Sequence, residues 1–213
     1  MTTFFNFQDS GLDDWDQSKN YVQMGFRPGF AVQARELTQM QTVMQAQITA
    51  LARRFMKSGS LVDAPLTLTG PSPSGGSGIW SVSIGPGTIY VEPTGKDIGY
   101  FVYNSETINL GNIEVSNQNT TRVYVTWEEV QVNPEGENFT AQGGFARVRT
   151  DPSLMDNAQG YSNFSAPGAS RYQINILGLL SSEGGTPINA GEVFYIQNGI
   201  PFYTDTDQQI PFS

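Results

Sequence analysis

One stretch of the chain contains neither glycine nor proline, and it limits the possible folds more than any other feature. It covers residues 30–58, follows Pro28-Gly29, precedes Gly59 and consists mainly of Ala, Gln, Met, Leu, Arg and Thr. These residues favour a helix, and the Pro-Gly and Gly that flank them are typical helix boundaries. Glu36 lies near the start and Arg53 near the end, as the helix dipole favours. The sequence therefore predicts one long helix over residues 30–58.

The apolar residues of this helix alternate at spacings of three and four, which is the a/d pattern of a coiled coil. The spacing predicts an oligomerisation seam with one polar member, and the seam consists of Ala34, Leu37, Gln41, Met44, Ile48, Leu51 and Phe55. Glutamines surround the seam and keep the apolar stripe narrow. A narrow stripe favours pairing with the same helix of another copy over packing on the chain's own strands. The identities of the a and d residues leave dimer and trimer open.

Beyond Gly59 the helical pattern gives way to short alternating segments separated by Gly and Pro. These segments predict strands at residues 66–69, 79–84, 88–91, 99–103, 121–127, 129–132, 172–177 and 192–196. The first two are separated by a Gly- and Pro-rich turn and form a predicted hairpin. Many short strands without intervening helices are typical of an antiparallel β-sandwich or barrel. The expected fold class is α+β, mainly β.

The same patterns divide the chain into four predicted parts: an N-terminal arm (1–29), an oligomerising helix (30–58), a β-rich domain (59–180) and a C-terminal β or extended tail (181–213). The arm carries several aromatic side chains without helical or strand periodicity. Apolar side chains in an aperiodic segment indicate that the segment orders against another surface. That surface is either the arm's own domain or a partner, and the arm's sequence leaves both open.

Composition excludes most catalytic chemistry. The chain has no His and no Cys, so it lacks imidazole-dependent triads, thiol chemistry and the usual zinc ligands. Its net charge of -9 disfavours nucleic acid as a partner. No segment approaches the roughly 20 apolar residues of a membrane span. We therefore expect no nucleic-acid partner and no membrane insertion.

Paired carboxylates are the remaining catalytic candidates. The pairs are Glu128 with Glu129, Glu135 with Glu137, and Asp205 with Asp207. The first pair would point to opposite faces of a strand, and the other two lie in predicted loops or tails. We therefore expect no enzyme activity, no cofactor and no catalytic metal.

Residues 26–41, FRPGFAVQARELTQMQ, resemble a known motif. The motif, F-x-P-G-x-x-L-Q-A-R-E-L-x-Q-L-Q, opens a domain family found at the start of tailed-bacteriophage tail-fibre and baseplate proteins. Weaker similarity continues through residues 57–62, 85–91, 149–154 and 166–172. The resemblance implies a virion structural protein, assembled in the host cytoplasm, that forms a homotrimer and contacts other baseplate and tail-fibre proteins.

Two roles in the phage tail are compatible with this resemblance. The chain ends soon after the shared domain, which favours an adaptor between fibre and baseplate over a full fibre. In that role the arm would dock onto the baseplate through Phe4, Phe5, Phe7, Trp15 and Tyr21. The alternative is a short tail fibre whose β-domain binds a host-surface polysaccharide. Its sugar-stacking candidates are Trp80, Tyr90, Tyr100 and Tyr103.

Overall fold

The computed structural model describes residue 13 and residues 15–70, 78–94, 97–115, 119–133, 148–150, 171–185 and 187–211. A short 3-10 helix, Gln17–Lys19, precedes α1, Ala34–Ala52, which is the one α-helix within these residues. Ten strands follow: β1 Leu66–Thr69, β2 Gly78–Ile84, β3 Gly87–Val91, β4 Tyr100–Asn104, β5 Ile108–Val115, β6 Thr120–Asn133, β7 Val148–Thr150, β8 Arg171–Ser182, β9 Ala190–Gln197 and β10 Ile200–Tyr203. The prediction of a mainly β chain with one helix is confirmed.

The strands form three sheets. One has the order β1-β2-β5, the second has the order β10-β9-β6-β7 with β8 also paired to β6, and the third is the β3-β4 pair. All of these pairs are antiparallel except β6 with β7. The predicted hairpin is confirmed, because β1 and β2 pair with Leu66 opposite Ile84 and Thr69 opposite Ser81.

Three strands, β5, β7 and β10, are not predicted from the sequence. In addition, β6 is one continuous strand where the sequence predicts two. β5 includes Asn109 and Gly111, β7 is only three residues long, and β10 includes Pro201. Asn, Gly and Pro disfavour strands, so pairing with a neighbouring strand decides the conformation there. β6 continues through Glu128 and Glu129 because β8 pairs with it from Arg122 to Val132.

A single core cluster draws on all three sheets. Its most enclosed members are on β2, β3, β6 and β9, and they include Trp80, Ile84, Ile89, Val91, Val123, Val125, Phe194 and Ile196. The predicted domain boundary at residue 181 falls inside β8, and β9 pairs with β6 beyond it. The residues on both sides of that boundary therefore share one core. We call the strands β1–β10 and their described connections the β-body.

The start of α1 differs from the predicted helix start at residue 30. Gln33 is extended, and its backbone N–H donates to the Glu36 carboxylate at 2.9 Å, as in a capping box. Before it, the Phe30 N–H bonds the Arg27 carbonyl oxygen across a turn in which Gly29 has a φ of 84°. The cap and this turn place the first helical residue at Ala34.

The end of α1 lies at Ala52 instead of the predicted residue 58, because the chain leaves the helix to pair with β3. The Gly59 N–H donates to the Tyr90 carbonyl oxygen at 2.8 Å, and the Tyr90 N–H donates to the Ser60 carbonyl oxygen at 2.9 Å. The Val62 N–H donates to the Thr88 carbonyl oxygen at 2.9 Å. These long-range hydrogen bonds override the helix propensity of residues 53–58.

Alkaline pH is expected to destabilise the fold through Tyr100. Burial, assisted by Glu129, raises the pKa of Tyr100 to about 12 from the ordinary 10.0. The contribution of Tyr100 to the free energy of unfolding is therefore fully present below pH 10 and is lost as the pH rises through 12. In urea titrations between pH 9 and 12, the free energy of unfolding should fall less steeply for Tyr100→Phe than for the wild-type chain. Tyr103→Phe is the control because its ring is exposed, and an equal flattening by both variants would contradict the prediction.

Candidate functional site

The predicted seam forms one continuous exposed face of α1 and of the turn that follows it. All seven of its members are exposed: Ala34, Leu37, Gln41, Met44, Ile48, Leu51 and Phe55. The exposed fraction is 58% for Met44, 65% for Leu51 and 71% for Phe55. Apolar side chains at every third and fourth position are rarely left in water, so this face is a candidate interaction surface. We refer to these seven residues as the seam.

The opposite face of α1 is covered by the chain itself. Its buried residues are Gln39, Val43, Thr49 and Ala52. The first three lie at heptad positions away from the seam, and Ala52 lies at an e position beside it. The chain covers one face of α1, and the seam is left open.

The β-body holds the C-terminal part of α1. The Gly99 N–H donates to Thr49 Oγ1 at 2.9 Å, and the Arg53 guanidinium bonds both oxygens of Glu92 at distances from 3.0 to 3.2 Å. This two-oxygen pairing raises the pKa of Arg53, chiefly through its hydrogen bonds to Glu92. Together these contacts fix the end of the helix on the β3-β4 sheet.

The described part of the arm covers the middle of α1. Asp13 is buried and accepts hydrogen bonds from the Trp15 backbone N–H at 2.9 Å and from Thr42 Oγ1 at 2.5 Å. Gln47 Nε2 donates to the Val22 carbonyl oxygen at 3.0 Å. Asp13 and residues 15–22 of the arm thus lie on their own helix, and neither Thr42 nor Gln47 is a seam residue.

The residues predicted for baseplate docking are divided by the structure. Trp15 is 8% exposed and lies with Val43 along the contact between arm and helix, so it serves the chain's own packing. Tyr21 is 47% exposed and remains accessible. Phe4, Phe5 and Phe7 lie outside the described residues.

The polysaccharide candidates differ in how far solvent reaches them. Trp80 and Tyr90 are fully buried, Tyr100 is half-buried, and Tyr103 is exposed. Asp207 accepts a hydrogen bond from the Tyr195 hydroxyl at 3.3 Å, and Glu135 and Glu137 lie outside the described residues. Within the part of the chain that the structure describes, acidic side chains nowhere gather in a group of three that could hold a metal ion.

Several contacts that position the seam were not found from the sequence. They are Thr42 with Asp13, Thr49 with Gly99, Arg53 with Glu92, and the contact between Gly59 and Gly191. Each joins residues far apart in the chain, and no local pattern marks such a pair. The capping position of Glu36, three residues after Gln33, is the one signal that local reasoning could have used.

No helix among the described residues is long and apolar enough to cross a membrane. No family model matches the chain, and no curated protein and no solved structure shows significant similarity to it. The candidate site therefore stands on its own geometry.

Proposed function

We propose that this chain is a structural subunit that self-associates through the seam of α1 into a homotrimer. As a virion protein of a tailed phage, the trimer acts as an adaptor that links a tail fibre to the baseplate. The observation that carries the proposal is the exposure of the complete a/d seam on the side of α1 that its own chain leaves uncovered. In the proposed assembly, the α1 helices of the copies form a coiled coil with one another.

The spacing of the seam favours a helix as its partner over a sheet or a loop. Steps of three and four average 3.5 residues, which keeps a stripe aligned with another helix over several turns. α1 is the one α-helix within the described residues, so none of them offers the seam a second helix to pair with. A second copy of the same chain supplies an identical seam.

The trimeric state and the phage context are supported by the resemblance of residues 26–41 to the tail-fibre and baseplate motif. In this chain, motif residues also shape the start of the helix. Gly29 forms the turn with positive φ, and Gln33 and Glu36 form the cap. The motif therefore starts α1 at a defined residue. A defined start suits a protein whose helices align with one another in an assembly.

The adaptor is preferred to a fibre that binds polysaccharide. Stacking on a sugar requires accessible aromatic faces, and burial removes Trp80 and Tyr90 from the four candidates. In the proposed arrangement the β-body packs as a sandwich or barrel and faces the fibre. The arm residues Phe4, Phe5, Phe7 and Tyr21 face the baseplate, whereas Trp15 braces the helix.

Two experiments on assembled phage particles test the proposed location of this chain. Antibodies raised against the β-body should label tails at the baseplate end in particles produced from the genome that encodes this chain. Cross-linking mass spectrometry on the same particles should join the arm to a baseplate protein and the β-body to a fibre protein. Absence of the chain from tails, or labelling confined to fibre tips, would contradict the adaptor.

A further inference from the structure

We infer that the helices associate in parallel and in register, with Gln41 of each copy meeting in one layer of the seam. The inference rests on the proposed self-association and adds its direction. The interaction surface is the seam, and its partner is the same face of a second and a third copy whose helices run in the same direction.

Gln41 is the polar member of an otherwise apolar seam. It occupies an a position, and in a parallel, in-register assembly every a residue meets the same residue of the other copies. Three Gln41 amides then lie together, and each can donate to one neighbour while accepting from another. The polar group is buried but satisfied.

An antiparallel arrangement leaves the Gln41 amide without a partner. In that arrangement a positions face d positions, and the d residues of this seam are Leu37, Met44 and Leu51. Each of them is apolar, so the amide would be buried against hydrocarbon. An unsatisfied buried amide costs enough to disfavour such pairing at least about tenfold. A shifted parallel register carries the same penalty, because Gln41 would face Ala34 or Ile48.

The attachment of the β-body to α1 gives this direction a structural consequence. The hydrogen bonds to the β-body lie at Thr49 in the last turn of α1 and at Arg53 directly after the helix. At the other end lie the exposed rings of Phe26 and Phe30, in and next to the turn before the helix. Parallel association gathers three β-bodies at one end and three sets of these rings at the other. The assembly then presents two chemically different ends, as an adaptor requires.

The absence of cysteine from the chain makes the direction measurable. The variants Ala34→Cys and Leu51→Cys place one thiol in the first turn and one in the last turn of α1, each at an exposed position of the seam. These positions are about 26 Å apart along a helix that rises about 1.5 Å per residue. A short bis-maleimide therefore links like positions in a parallel assembly and unlike positions in an antiparallel one. The control variant Ile79→Cys carries its thiol at an exposed position of β2 and measures the cross-links that form by chance collision.

We expect each single variant to cross-link to itself in the full-length protein. Co-expression of the two variants should give mixed 34–51 links at no more than about one tenth of the self-links. Mixed links in excess would overturn the parallel direction while leaving self-association intact. A monomeric mass with cross-linking no greater than for Ile79→Cys would overturn both the inference and the proposed function.

The role of Gln41 is tested by Gln41→Leu in the same two backgrounds. Because this change removes the polar group that opposes antiparallel pairing, the mixed links should rise about tenfold while the assembly persists. Mixed links that stay below one tenth of the self-links would show that Gln41 does not set the direction.

Discussion

The triple variant Leu37→Asp, Ile48→Asp, Leu51→Asp is expected to be a folded monomer at concentrations where we expect the wild-type chain to be a trimer. Each substituted side chain is exposed in the single chain, so the charges are solvated there. In the assembly the same charges would be buried together without partners, which costs several kcal/mol. Light scattering coupled to size exclusion at micromolar concentration measures the mass, and circular dichroism verifies the fold.

A matched control separates the seam from exposed apolar surface in general. Ile79→Asp, Leu177→Asp, Ile188→Asp adds the same charge at three exposed apolar positions of the β-body. This control should keep the wild-type mass. A wild-type monomer, or equal dissociation of both triple variants, would refute the seam as the oligomerisation surface. A wild-type dimer would correct the stoichiometry.

Replacement of Gly191 with alanine is expected to lower the free energy of unfolding by about 3 kcal/mol, the upper end of typical overpacking costs. Gly191 on β9 and Gly59 after the helix meet backbone to backbone. A Cβ on Gly191 would lie 2.6 Å from the Ser58 carbonyl oxygen, and one on Gly59 would lie 2.5 Å from the Gly191 carbonyl carbon. Neither neighbour is a side chain that can rotate away. Urea titration of the purified protein measures the loss.

Gly111→Ala provides the comparison for this prediction. Gly111 lies on β5, and a Cβ there would meet no atom within 4 Å. Its replacement should change the free energy of unfolding by less than about 0.5 kcal/mol. If Gly191→Ala changed the free energy of unfolding as little as Gly111→Ala, the close approach of Gly59 to β9 would not constrain the fold. The seam variants should leave this contact unaffected, because its atoms lie outside the seam.

Local pattern was sufficient for the elements whose signals lie within a few residues. The Gly- and Pro-free stretch predicts α1, and the spacing of three and four residues predicts the seam, which is exposed in the structure. The turn between residues 70 and 78 identified the β1-β2 hairpin. Helix propensity, hydrophobic period and turn residues act over short distances, so the sequence carries them directly.

The tertiary structure decided everything that depends on residues distant in the chain. α1 ends at Ala52 because residues 59–62 pair with β3, and β5 forms despite Gly111 because β2 pairs with it. The sequence leaves open whether the arm packs on its own domain or on a partner. In the structure, Asp13 and Trp15 pack against α1 of the same chain. The spacing of the seam residues can be read directly from the sequence. Only the packing of arm and β-body on the opposite face decided that the seam is the side left open, because burial is set by contacts between segments that no local pattern encodes.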